Sequence, residues 1–229
     1  MDKKEQDRII KGLVRQRLVE DELKWRAKPE NHHDDELVRK MLLEINELGC
    51  NLEYLYDISS LKITDRGIVD IILKYLGAFT RIGTMQDVVC GIGYKENKYA
   101  TEEIVKAFNG IIPRLNDYIY HLAGFDNAFN RLKDKRYIDD YIKWLADPDI
   151  ATRMPFTMVM LARWKNMEAR QLYLQYLSTD REDQIIFTSI RALQYYNDEE
   201  SREKLIAMSK HQNQNISSAA EKVMKKLKI

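Results

Sequence analysis

Apolar positions along the chain recur at helical spacing. Val69, Ile72, Leu73 and Leu76 fall at i, i+3, i+4 and i+7, and Ile138, Tyr141, Ile142 and Leu145 repeat that spacing. Met154, Met158 and Leu161 form a third stripe, and Ile186, Ile190 and Leu193 a fourth. Stripes of this kind are the core-facing edges of amphipathic helices. Alternation of strand length is hard to find, because the most strand-like runs, 68–73 and 156–161, sit inside stronger helical patterns. The predicted fold class is all-α. Helices are expected over 2–26, from Asp34 as N-cap to about Gly49, and over 66–77, 82–93, 100–109, 114–123, 136–146, 151–164, 167–178, 183–196, 199–210 and 215–227. Punctuation agrees: residues 156–229 contain neither Gly nor Pro, which leaves few places for tight turns between strands. Pro155 is harmless if its helix starts near Ile150, and an earlier start predicts a kink there.

The stripes also repeat over a longer period. At an offset of 32 residues, Trp144-Leu145 falls on Tyr176-Leu177, Met154 on Ile186, Met158 on Ile190, Leu161 on Leu193 and Trp164 on Tyr196. At offsets of 31 and 30 the pattern continues more weakly, with Leu174 and Leu177 on Leu205 and Met208, and Ile186, Ile190 and Leu193 on Ile216, Ala220 and Val223. The unit is a pair of antiparallel helices of about three turns each, joined by a polar turn such as Ala146-Asp147-Pro148-Asp149, where Asp149 or a neighbour caps the second helix. Two helices this short cannot bury enough apolar surface to stand alone, so successive pairs must stack.

Three features make the chain resemble a HEAT-repeat protein: the helix-pair period, the first helix ending in an acidic turn (Tyr141-Ile142-Lys143-Trp144-Leu145-Ala146-Asp147), and the second helix ending in Ile190-Arg191-Ala192-Leu193, with Met160-Leu161-Ala162 as its counterpart. The repeats are similar to the compact HEAT-like repeats of bacterial proteins, including the group related to phycobilisome lyases. Residues 44–57 resemble the lead-in of bacterial HEAT-repeat proteins. The resemblance covers about residues 36–227. It implies an α-α superhelix, a short right-handed HEAT/ARM-like solenoid of about five pairs, with residues 1–33 as a polar N-terminal capping helix and linker and 34–229 as a single solenoid domain. Family members act mainly as binding scaffolds. Three departures stand out: Asp183-Gln184 opens a second helix where the family often has Val-Arg, residues 110–136 stretch the period, and the 2–26 helix has no repeat partner.

Composition narrows the function classes. The chain has 229 residues, of which 45% are hydrophobic and 32% charged, a globular balance. Lys plus Arg is 37 and Asp plus Glu is 36, a net charge of +1, which argues against wholesale wrapping of nucleic acid. No stretch approaches 18 consecutive apolar residues, and the N-terminus has no uninterrupted apolar core, so neither a membrane span nor a signal peptide is expected. Cys50 and Cys90 lie 40 residues apart without a CxxC and read as buried free thiols of a reducing compartment. A cytoplasmic location follows.

Candidate chemistry is sparse. Asn31-His32-His33-Asp34-Asp35-Glu36 is the most metal-like string, but adjacent His residues point to different sides of an element. It reads as a helix start with acids in the first turn. Gly91-Ile92-Gly93-Tyr94 lacks the third Gly of a dinucleotide loop. Lys222, Lys225, Lys226 and Lys228 make a basic C-terminal face that could meet nucleic acid or an acidic protein, and that reads first as a solvated face favoured by the helix C-terminus. No catalytic residue, metal or cofactor is expected. The expected binding residues are those off the core stripes of the second helices, which line the concave face in HEAT-like solenoids. They are Tyr120, Phe156, Arg163, Arg191 and Tyr195, with Val159, Met160, Thr188 and Ala192 at neighbouring positions of the same face. Arg, Tyr and Met are enriched at binding hot spots.

The function expected from this reading is a non-enzymatic scaffold that binds another protein, with a homo-oligomer compatible with it. A HEAT-like DNA-binding protein or alkylbase DNA glycosylase is the alternative, with Asp117 or Asp183 as its carboxylate. Lyase-like binding of a small ligand is the second alternative, by analogy of fold alone.

Overall fold

The structure is a computed structural model that describes residues 3–117, 122–178 and 182–229. Among the described residues it is all-helical, with no strand. The chain divides into two compact units, Met1–Leu132 and Lys133–Ile229.

In the first unit, α1 (Lys3–Arg26), α2 (His32–Glu47), α3 (Leu55–Ser60), α4 (Arg66–Leu76), α5 (Ile82–Ile92), α6 (Thr101–Ile111) and α7 (Ala123–Leu132) follow in order, with short 3-10 turns before α2 and α6 and after α6. The packing is alternate. Helix α4 lies between α2 and α6 in one row, and α5 lies between α3 and α7 in the other. The C-terminal end of α1 rests on α3. Phe108 of α6 meets Phe125 and Phe129 of α7 edge-on, at 5.2 and 5.5 Å between centroids, and all three rings are fully buried. The second row is drawn tight by small residues. A Cβ on Gly124 would lie 2.5 Å from the Gln86 carbonyl oxygen of α5, and one on Gly91 would overlap the Ile58 backbone of α3.

In the second unit, α8 (Ile138–Leu145), α9 (Pro148–Arg153), α10 (Pro155–Arg163), α11 (Met167–Tyr176), α12 (Asp183–Leu193), α13 (Glu199–Met208) and α14 (Gln214–Leu227) follow. Helices α10, α12 and α14 lie side by side, with α11 on α8 and α12, and α13 on α14. Hydroxyls tie one pair to the next. Tyr196 donates to the Asn166 carbonyl at 2.6 Å, and Tyr176 donates to the carbonyl of Leu145, the last residue of α8, which would otherwise lack an intrahelical partner. A buried guanidinium adds to the ties: Arg170 of α11 bridges Asp198 and Glu200 at the start of α13.

Five helix starts follow local chemistry. Asp65, Asp147, Asn166, Asp198 and Asn213 each precede a helix and accept from a backbone N–H of its first turn. Two starts are capped from afar. Asp34 does not cap α2, because Asn31 holds that position and Asp34 lies a turn inside. Its fully buried carboxylate instead accepts from the Thr80 N–H and hydroxyl and from the Arg81 N–H, at 2.8 to 2.9 Å, ahead of α5. Glu22 of α1 accepts from the N–H groups of Leu55 and Tyr56 at 2.9 and 3.1 Å, at the start of α3.

Other corrections are local. The expected helix over 151–164 is two helices, because α9 starts at Pro148 and the chain breaks at Met154 (φ −121°, ψ 50°) ahead of Pro155. This is the kink that an early start demands. The helix expected over 114–123 does not form over 112–117, which is a 3-10 turn, while 118–121 lie outside the described residues and the next helix is α7. Both cysteines are free and half-buried rather than buried.

Candidate functional site

The second helices of the C-terminal unit present the most developed face. On α10, Phe156 and Arg163 are seven residues apart, two turns along one side of the helix, and both are exposed. Phe156 is 49% exposed, which removes it from the core. Arg163 reaches the next repeat. Its Nε donates to the Tyr195 hydroxyl at 3.0 Å, and its guanidinium lies 5.9 Å from the Tyr195 ring centroid. These two residues are 32 apart in sequence, so the repeat offset also brings side chains together. Arg191 stands on α12, four residues before Tyr195 in the turn that follows the helix, its guanidinium 5.8 Å from the ring of Phe187. Tyr120 and His121 lie outside the described residues. Of the neighbouring positions, Met160, Thr188 and Ala192 are buried, at 1, 4 and 0% exposure, because α10 and α12 each pack on two sides and hide more than a single stripe.

Between α12 and α14 this face sinks into a groove of about 590 Å³. Its floor is apolar: Ile216, Ala219 and Val223 of α14 are 1, 6 and 4% exposed, and half-buried Phe187 faces them from α12. Its rim is cationic. Arg191, Lys222 and Lys226 all line it, and among the described residues none of them, nor Arg163, has an acidic partner. Lys226 donates to Gln194 Oε1 at 3.1 Å. Asp183 at the groove's end accepts from Asn213 Nδ2 at 2.5 Å, so the carboxylate considered for glycosylase chemistry serves the turn before α14.

The second helices of the N-terminal unit line a different concavity of about 410 Å³, around Trp25, Tyr56, Ser59, Thr84 and Asp87. Asp87 is open to solvent along one side, yet the surrounding protein displaces enough water to push its pKa up to about 6, with the charge of Glu22 adding to the effect. Glu22 itself is committed to the α3 amides and to Arg26, at 2.7 Å. The His32-His33 string makes no metal cage. His33 Nε2 lies 3.3 Å from the Ala78 carbonyl, and Asp35 pairs with Arg39 and Arg26. No group of three or more His, Cys, Asp or Glu that could hold a metal occurs among the described residues. No helix among them is long and apolar enough to cross a membrane.

Reading the sequence alone passes over Phe187 and takes Lys222 and Lys226 for a solvated face. The repeat register gives no signal for this pairing, since at the 30-residue offset of these two helices Arg191 falls on Glu221 and Tyr195 on Lys225. A scan against protein-family models matches none, and a search of curated proteins finds no significant similarity.

Proposed function

We propose that the protein is a HEAT-like helical-repeat binding module that recognises another protein on the exposed face of α10, α12 and α14, without catalysing a reaction. The alternate two-row packing within each unit supports a solenoid reading, since each helix pair covers the apolar face of the next. The observation that carries the functional part is the run of Arg163, Arg191, Lys222 and Lys226 on one face, with Tyr195 and Phe187 beside the two arginines. Unpaired cations against aromatic rings on a preformed surface are what a partner's anchors require. The test is affinity capture from the source organism with the intact chain and with an Arg163→Ala/Arg191→Ala variant. Both side chains are exposed, so the melting temperature should stay nearly unchanged while capture of the specific partner is lost. Equal capture by the variant would sink the reading.

A further inference from the structure

We infer that the groove between α12 and α14 takes an acidic peptide segment, its carboxylates on Arg191, Lys222 and Lys226 and its apolar side chains on the floor formed by Phe187, Ile216 and Val223. This deepens the binding-module reading and rests on it. Charge complementarity identifies the occupant. Three cations border one groove and have no acidic partner among the described residues, whereas Lys62, Lys74 and Lys106 pair with Glu96, Glu44 and Glu102/Glu103 on their own surface. Exposed Lys143, Arg163 and Lys165 also lack an acidic partner among the described residues, but they stand on open surface, whereas these three are gathered round one apolar floor. A guanidinium and two ammonium groups suit carboxylates spaced along a peptide.

The floor separates a peptide from a nucleic acid. Phosphate backbones draw affinity from many cations and gain nothing from buried aliphatic side chains, whereas an amphipathic acidic segment uses both the rim and the floor. A chain of net charge +1, with Asp183 at one end of the groove, offers little further field for a polyanion. The amides of Gln184, Gln194 and Asn215 line the same groove and can meet peptide backbone groups.

Fluorescence anisotropy on the intact chain tests this. The probes are a short labelled peptide alternating Glu with Leu, its counterpart with Lys for every Glu, and labelled single-stranded and duplex DNA of matching charge. The acidic peptide should bind at least about tenfold tighter than the Lys counterpart and tighter than either DNA, and should weaken with salt. Arg191→Ala and Lys222→Ala should each weaken it about threefold, as exposed charge pairs do. Arg191→Glu/Lys222→Glu should abolish it at unchanged melting temperature, and Lys143→Ala, exposed on α8 and outside the groove, should leave it intact. Equal binding of the two peptides, indifference to charge reversal, or tighter binding of DNA overturns the inference. If partner capture depends on Arg163 and Arg191 yet no acidic peptide binds, this inference fails and the binding-module reading stands. If neither holds, both fail.

Discussion

Asp87 and Asp198 show how one fold drives two carboxylates in opposite directions. Asp198 takes a charge-assisted hydrogen bond from Arg170, which holds its pKa down at about 2. Its stabilising contribution is present above the unfolded value near 4 and is lost as pH falls toward 2. Asp87 has the reverse sign. Its displaced water, and secondarily Glu22, raise the pKa to about 6, so between pH 4 and 6 the unfolded chain releases this proton before the folded chain does. Stability from this group falls as pH rises through that window. A shift of two pKa units would be about 3 kcal/mol if fully transmitted, and solvent screening at so open a site cuts that to about 1. Asp87→Asn is accordingly expected to stabilise the protein by about 1 kcal/mol at pH 8 and by nothing below pH 4. Thermal melts across pH check this, and an equal effect at both ends would refute the assignment.

At the scale of elements, the seam between α5 and α7 depends on the absence of a side chain. Gly124→Ala forces a methyl against the Gln86 backbone and should cost about 1–3 kcal/mol, measured by urea denaturation. Gly83→Ala, in α5 but with nothing within 4 Å, should be neutral or stabilising by up to about 1 kcal/mol. Similar losses at both glycines would mean that helix propensity, not the close approach, governs the seam. The same seam shows where the sequence could be read. A helix with a strong stripe and a polar residue just before it, such as α4 behind Asp65, was legible because both signals lie within one turn. Helix α7 was not, although Phe125, Ala128, Phe129 and Leu132 have the helical spacing, because Gly124 and the asparagines of Gly124-Phe125-Asp126-Asn127-Ala128-Phe129-Asn130 look like a loop. That glycine is there for packing, a reason that only the neighbouring helix reveals. The groove was half legible for a related cause. Arg191 lies off its stripe and could be chosen, but the floor under it belongs to a helix 30 residues on.

At the scale of the whole molecule, each unit has a core of its own: Phe108, Phe125 and Phe129 in one, and Tyr141, Trp144 and Tyr173 in the other, all nearly or fully buried. A fragment of residues 133–229 should therefore fold, giving a helical circular-dichroism spectrum and a cooperative melt. A non-cooperative melt would show that this unit needs the rest of the chain. The two long-range caps carry a further implication for synthesis. Glu22 precedes the amides it serves by 33 and 34 residues, and Asp34 precedes those at Thr80 and Arg81 by 46 and 47. On a ribosome that releases the chain from its N-terminus, each carboxylate is already outside before its client helix emerges. The acceptor waits for the donors, so α3 and α5 can be secured in the order in which they are translated.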